Sequence, residues 1–364
     1  MRLARAITGQ GGPSPGTRER RPVPDRRFTV RLAVEADNDQ LLDLTRRCPM
    51  SGGVPLLIER DPCFFTLSRL QGHPSLTAVA EDRAKNIVGC VSLALRHVYI
   101  DGQATPCFYG GDLKISPEIR NTTVLWQLHR FLENEVAPLG IDLEFTSVVE
   151  GNDQGEIVLR NLAGMPRYRT LGRIDVWTVP NRPVDAESDV SVETARAEDL
   201  PTLAGLLDQS NARYQFAPVW AEGTLRTAIS NAPGLSVDAF HLARIDGELV
   251  GALAAWDQRQ IQRVALTGAG GHEVRVVHLT HVAVPSEDPR VFGALVASVL
   301  RDWNDADAEF LVFGLAAGHP LSRALDRFSA ESFPTWMYSV TPPGTRWEGY
   351  DFSRKALFHE VSHI

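Results

Sequence analysis

The chain is predicted to be an α+β protein built twice from one plan. Self-similarity at a spacing of about 160 residues predicts a duplication rather than a short-period solenoid. Each copy carries a hairpin marked by a Val-Gly pair, Val88-Gly89 and Val250-Gly251. Each also has a long apolar strand that runs into proline ahead of a helix, Phe108 to Ser116 with Pro117 and Val274 to Val284 with Pro285. Mixed strands, hairpins and internal helices in that order make an α+β fold, and 364 residues suit two domains of about 150 residues each better than one core.

The first copy opens with the strand Phe28-Thr-Val-Arg-Leu-Ala-Val-Glu, then Ala36-Asp-Asn-Asp and an amphipathic helix through Leu41, Leu42 and Leu44. The second opens with Val190-Ser-Val-Glu-Thr-Ala, then Arg196-Ala-Glu-Asp and a helix through Leu200, Leu203, Leu206 and Leu207. A small acidic residue stands in both where a helix N-cap is wanted. The hairpins follow: Leu76 to Ala80 with Ile87 to Leu95, and Phe240 to Ile245 with Leu249 to Trp256 across Asp246-Gly247, a strong hairpin signal. After each proline-terminated strand and its helix comes a further strand, Asp142 to Val149 and Phe310 to Leu315. A short helix and a last strand, Arg173 to Val179 and Thr335 to Val340, close each copy. The predicted organisation is a flexible basic tail at 1–27, one copy at 28–180, a polar proline-containing linker at 181–189, and the second copy at 190–364.

Composition excludes several function classes. The chain is 43% hydrophobic and 23% charged, as soluble globular proteins are, and has no stretch near the roughly 18 apolar residues of a membrane span. A formal net charge of −8 argues against a general nucleic-acid binder. Residues 1 to 27 are rich in Arg, Pro and Gly and lack the apolar core of a secretion signal; they read as a solvated leader or as a docking arm for an acidic partner. Cys48, Cys63, Cys90 and Cys107 form no C-x-x-C pair, so a reduced, cytoplasmic protein without disulfides or a cysteine metal site is expected.

The segment from Tyr109 to Leu128 carries most of the functional information. An apolar strand ends at Pro117, Arg120 opens a short loop, and a helix starts at once. Such a loop aims unpaired N–H groups and a positive dipole end at one point, which suits a pyrophosphate.

The order of elements, the Val-Gly hairpins and the junction Pro117-Glu-Ile-Arg120 resemble the GNAT superfamily of N-acyltransferases in tandem form, over about residues 28 to 180 and 190 to 364. The resemblance implies two GNAT-like domains, each a mixed, mostly antiparallel sheet flanked by helices. It implies an acyl-CoA donor bound where two parallel strands splay apart, its pantetheine on the exposed strand edge and its pyrophosphate on an R/Q-x-x-G-x-G/A loop. Matched onto this chain, that loop is Arg120-Asn-Thr-Thr-Val-Leu125, so Arg120, Asn121, Thr122, Thr123 and Val124 become phosphate-binding candidates. Thr123 and Leu125 stand where the family has small residues, and a Cβ there holds a phosphate off the amides; the hydroxyls of Thr122 and Thr123 are the available substitutes. In the second copy, Pro285-Ser-Glu-Asp-Pro-Arg290 puts Glu287 and Asp288 beside the arginine, where they repel a pyrophosphate. The first copy is therefore expected to bind the donor and the second to be degenerate. A weakened loop also admits an acyl-phosphopantetheine donor on a carrier protein, which lacks the nucleotide end of CoA and suits natural-product biosynthesis.

Acyl transfer to an amine needs a polarised thioester carbonyl, a deprotonated nucleophile and an acid for the leaving thiolate. The resemblance places carbonyl polarisation on the backbone of Leu113, Lys114 and Ile115. Asp112 either accepts the amine proton or merely orients the amine or faces solvent. Glu150 and Asn152 end the next strand, where pantetheine and acceptor contacts meet in the family; Asn152 equally suits a helix cap. Tyr168 lies near the place of the family's acid tyrosine, and equally suits a packed core position. His97 and His129 are further candidates.

The expected function is thus N-acyl transfer from acyl-CoA or an acyl-carrier protein to an amine on a small molecule or peptide, without a metal. The alternative is a catalytically silent GNAT-like binding module. A zinc hydrolase is the remaining reading, resting on His359-Glu-Val-Ser-His363. On a strand those two histidines lie about 13 Å apart, too far to share one zinc. Tyr214, Phe216 and Trp220 either line a groove between the copies or belong to the core.

Overall fold

The computed structural model describes residues 22–50, 56–120, 122–159, 165–184, 189–267, 271–304 and 306–363. Most of the expected tail (1–21), Asn121 and part of the linker (185–188) lie outside the described residues.

The first copy runs through β1 (Thr29–Leu32), α1 (Asn38–Arg47), β2 (Leu56–Glu59), α2 (Phe65–Gln71), β3 (Ser75–Glu81), β4 (Ile87–Ile100) and β5 (Gln103–Ile115). It continues with α3 (Val124–Val136), β6 (Glu144–Val149), α4 (Asp153–Leu159) and β7 (Tyr168–Pro180). The second copy runs through β8 (Ser191–Thr194), α5 (Leu200–Asn211), α6 (Glu222–Asn231), β9 (Phe240–Ile245) and β10 (Glu248–Asp257). After β11 (Arg263–Leu266) and β12 (Glu273–Val274) come β13 (Val276–Ala283), α7 (Pro289–Asp302), β14 (Phe310–Ala316) and β15 (Glu331–Val340).

Local chemistry explains several of these boundaries. Asp246 and Gly247 both have positive φ, 51° and 84°, the conformation that a tight hairpin turn requires. Asp37 and Asp199 each turn a carboxylate back to the amide three residues earlier, Val34 and Arg196, at 2.8 Å. They close the 3-10 turn that precedes the helix rather than capping the helix directly.

All strands except β2, β11 and β12 form one twelve-stranded sheet in the order β1-β3-β4-β5-β6-β15-β7-β14-β13-β10-β9-β8. The order is nearly a mirror image about its centre, as a duplication requires. The closing strands, however, are exchanged. Thr335 to Val340 pair antiparallel with β6 of the first copy, while β7 pairs with β14 of the second, so the sheet continues across the linker. The small sheet also joins the copies, Leu56 to Glu59 pairing with Arg263 to Leu266.

Helices pack the two ends of the sheet. In the first copy Val124, Leu128 and Leu132 of α3 cover Ala78, Val91, Leu93 and Phe108. In the second, α7 is buried along Val291 to Leu300 against Leu253, Val277 and Leu311. Between them a central cluster joins Tyr109, Phe145, Phe216, Met337 and Phe352. Phe216 is therefore core, its ring 5.0 Å from Phe145, whereas Trp220 stacks at 4.9 Å on His281.

Candidate functional site

Two parallel strand pairs diverge part-way along their length. β5 pairs with β6 only at Phe108↔Glu144 and Tyr109↔Phe145, with one further link from Thr146 Oγ1 to the Gly110 carbonyl at 2.7 Å. β13 and β14 pair at Val276↔Phe310 through His278↔Val312 and no further. Each divergence leaves a notch whose walls carry backbone amides and carbonyls with no strand partner.

Each notch has a bulge three residues beyond the last pair. At the first, Asp112 has φ 55°, and the β4–β5 register shifts between Cys90 and Ser92, leaving Asp112 and Leu113 without partners on β4. At the second, His281 has φ 54°, and the β10–β13 register shifts between Ala252 and Ala254. A bulge re-aims the local backbone, here towards the notch.

The two notches differ in what fills them. In the second, the segment from Leu357 to His363 enters. Glu360 takes the His281 amide at 3.2 Å, and Gly314 faces Val361 and the His359 carbonyl so closely that a Cβ would lie 2.8 Å from the valine methyl. The residual cavity, bordered by Tyr214, Val284, Leu315 and His319, has about 30 Å³, room for a water. The dipole end of α7 is also occupied, since Asp288 accepts from the Arg290 amide at 2.8 Å. Glu287 is held by Arg213 and Tyr214, each at 3.2 Å.

In the first copy α3 has no side-chain cap. Its first intrahelical bond runs from the Gln127 amide to the Thr123 carbonyl at 3.0 Å, so the Leu125 and Trp126 amides have no acceptor within the helix. Arg120 is exposed and makes one long contact, Nε to the Ile115 carbonyl at 3.4 Å. The threonine hydroxyls are engaged within the protein. Thr122 Oγ1 donates to the Ile119 carbonyl at 2.7 Å. Thr123 Oγ1 donates to the Val23 carbonyl and accepts from the Asp25 amide, both at 3.1 Å, which ties the N-terminal segment to the loop.

The remaining candidates scatter. Asp112 is sealed inside, its side chain 1% exposed, in an ion pair at 2.5 Å with Arg60, itself 6% exposed, and accepts from Ser68 Oγ at 3.0 Å. Burial opposes its ionisation, yet the Arg60 and Lys114 charges outweigh it and hold the carboxyl below its usual range. The carboxylate is thus enclosed and paired beside the bulge rather than facing solvent. Leu113 and Ile115 point towards α3, and Lys114 lies opposite Cys90. Glu150 is exposed and accepts from the Trp336 indole at 3.1 Å. Asn152 accepts from the Gly155 amide at 3.2 Å and so caps α4. Tyr168 meets His129 Nε2 at 3.4 Å, away from the bulge.

The structure brings to the notch a group that sequence reasoning did not assign. Ser147, on β6 just past the last pair, lies 2.9 Å from His359 Nε2 and 3.3 Å from the Tyr109 hydroxyl. Burial lowers the His359 pKa to about 3, so its ring is neutral and its Nε2 shares a hydrogen bond with the serine hydroxyl. The first histidine of His359-Glu-Val-Ser-His363 thus faces the first copy, while the His363 ring stands edge-on to Trp256 at 6.3 Å. Among the described residues no group of three or more His, Cys, Asp or Glu side chains is placed to hold a metal ion. Only the alternation of β6, which puts Phe145 and Ser147 on one face, was available in advance as a signal for Ser147.

A twelve-stranded sheet of two half-repeats, each with a splayed parallel pair and a bulge, decides the fold. This is the GNAT fold. No family model and no curated protein matches the sequence, but solved structures do. Saccharomyces cerevisiae N-myristoyltransferase with bound myristoyl-CoA is similar at TM-score 0.64 and 11% identity, over 93% of this chain and 87% of that one. A GCN5-related N-acetyltransferase from Sphaerobacter thermophilus is similar at 0.61 and 13%, over 89% and 98%. Another from Anabaena variabilis gives 0.53 and 14%, over 86% and 72%. The GNAT likeness therefore runs through both copies.

Proposed function

We propose that the protein is an N-acyltransferase that takes an acyl group from a CoA-type thioester, bound in the first copy, to an amine. The observation that supports this most directly is the contrast between the notches. Both bulges lack a ladder partner on the neighbouring hairpin strand, but in the β13–β14 notch Glu360 takes the His281 amide and Asp288 caps α7, whereas among the described residues Thr123 makes no such cap on α3.

In this reading the pantetheine arm lies along β5 beyond Gly110. The diphosphate meets the Leu125 and Trp126 amides and Arg120, where helix dipole and guanidinium act together. The Asp112–Leu113 backbone polarises the thioester carbonyl. The amine nitrogen forms the new bond to the carbonyl carbon, the C–S bond breaks, and the amine loses a proton as the thiolate gains one. Ser147, oriented by His359 and adjoining Tyr109, gives its hydroxyl proton to sulfur and takes up the proton the amine sheds, so the serine ends unchanged. Asp112 positions the strand and takes no proton.

The test is thiol release from an acyl-CoA series with a panel of amines, beside the same acyl group on a phosphopantetheinyl carrier protein. Amine-dependent release supports the reading, and the faster arm names the donor. Tight acyl-CoA binding without release with any amine establishes a silent binding module instead.

A further inference from the structure

Among the described residues, one cation on β4, beside Tyr109, makes no ion pair. Arg96, on β4 opposite Cys107, faces the same side as Tyr109, its guanidinium 6.0 Å from that ring's centre. Its Nε is enclosed and unpartnered, while the residue as a whole stays partly exposed. Among the described residues, no carboxylate lies within ion-pair distance and no hydrogen bond reaches it. Glu360 acts on Arg96 through its charge, but its oxygens are engaged by Ser362 Oγ at 2.8 Å and the His281 amide at 3.2 Å. Burial, and after it the Arg96 charge, disfavours protonation of His359 and His363, which leaves neutral rings near it. An enclosed charge without a partner is unfavourable, and a guanidinium fork matches a carboxylate in two parallel hydrogen bonds.

We propose that Arg96 receives the carboxylate of the acceptor, so that the substrate is an amino-carboxylic compound rather than a simple amine. The inference rests on the acyltransferase reading above, because it uses the face of β5 and β6 that carries Tyr109 and Ser147 as the acceptor side of the notch. A carboxylate on Arg96 places the amine of the same molecule towards Ser147. Among acceptors of equal size, the free acid is then the substrate and its amide or methyl ester is not.

The experiment compares acylation of matched amino acids and amino-acid amides by wild type, Arg96→Gln and Arg96→Lys. Wild type is expected to favour the acid by about 10- to 100-fold in kcat/KM, the range of charge-assisted hydrogen bonds. Arg96→Gln abolishes that preference, chiefly through KM, and Arg96→Lys restores part of it. Equal use of acid and amide by wild type overturns the proposal, and so does an equal loss on both substrates in Arg96→Gln. Should Arg96→Gln not fold, the wild-type comparison decides alone. Thermal protection of wild type by the amino acid, absent with its amide, reads the anion site without turnover. Protection combined with no acylation of any amine leaves the anion site standing and removes the acyltransferase reading; acylation without acid preference does the reverse.

Discussion

Asp112 and His281 occupy equivalent places in the two copies, three residues past the last parallel pair, each in the left-handed region, at φ 55° and 54°. Neither is glycine, so the conformation is strained and must be held by surrounding contacts. Arg60 and Ser68 hold the first. Glu360 holds the second through the His281 amide. The same backbone device is held by side chains of its own copy in the first case and by the 357–363 segment in the second.

Removing either partner of the Asp112–Arg60 pair strands a buried charge. Asp112→Ala or Arg60→Met is expected to cost roughly 3–5 kcal/mol, read as a lower urea midpoint at pH 7. The double variant Arg60→Met/Asp112→Ala is expected to lose clearly less than the sum of the two single losses. Additive losses in the double variant contradict the pairing.

Arg120 supports almost no internal structure, so Arg120→Ala is expected to leave the melting temperature unchanged. It should raise the Kd for acyl-CoA by about 10-fold, the effect of one charge-assisted hydrogen bond. An acyl-pantetheine, which lacks the diphosphate, should bind both proteins alike. Calorimetric titration of the two ligands separates these outcomes.

Ser147 and His359 are expected to act on kcat rather than on donor binding. Ser147→Ala should lower kcat on the order of 100-fold, as loss of a positioned acid does, with the Kd for acyl-CoA unchanged. His359→Gln keeps a hydrogen-bonding side chain and should give a smaller loss. Because His359 is neutral down to a pH of about 3, its protonation should leave no inflection in the pH–rate profile between pH 5 and 9.

The pH dependence of stability follows from buried histidines. Burial lowers the pKa of His129, His278 and His281 to about 4 and of His359 to about 3, against an unfolded value of about 6.5. Above 6.5 neither state binds these protons. As pH falls below 6.5 the unfolded chain takes them up and the native state does not, so stability is lost. Glu144, whose pKa burial raises to about 7, acts in the opposite sense: it favours the native state at low pH, and that contribution fades as pH rises through 7. Four histidines outweigh it, and the melting temperature should drop by about 5 °C or more between pH 7 and pH 5. Both nitrogens of His278 are unpartnered, so His278→Leu should flatten this slope; an unchanged slope contradicts the account.

Element identity was legible in the sequence because it is written locally. The Asp246-Gly247 turn, the strand into Pro117 and the helix packing through Val124, Leu128 and Leu132 each depend on residues a few positions apart. The charge objection to the second loop was legible for the same reason, since Glu287, Asp288 and Arg290 are near neighbours. The partners of the threonine hydroxyls were less legible because they are not all local: Thr123 is tied to Val23, a hundred positions away.

By itself the sequence determined the duplication, the order of the principal strands and helices without β2, α2, α6, β11 and β12, and the strand–proline–helix junction of each copy, all of which follow from periodicity and turn chemistry. Only the tertiary structure decided which closing strand joins which copy, that Arg60 pairs with Asp112, and that His359 and Glu360 reach different notches. Such contacts span large separations, 292 positions for Gln71 and the His363 carbonyl. They arise because a strand edge or buried charge takes whatever partner the packed chain brings to it, and no local pattern records that choice.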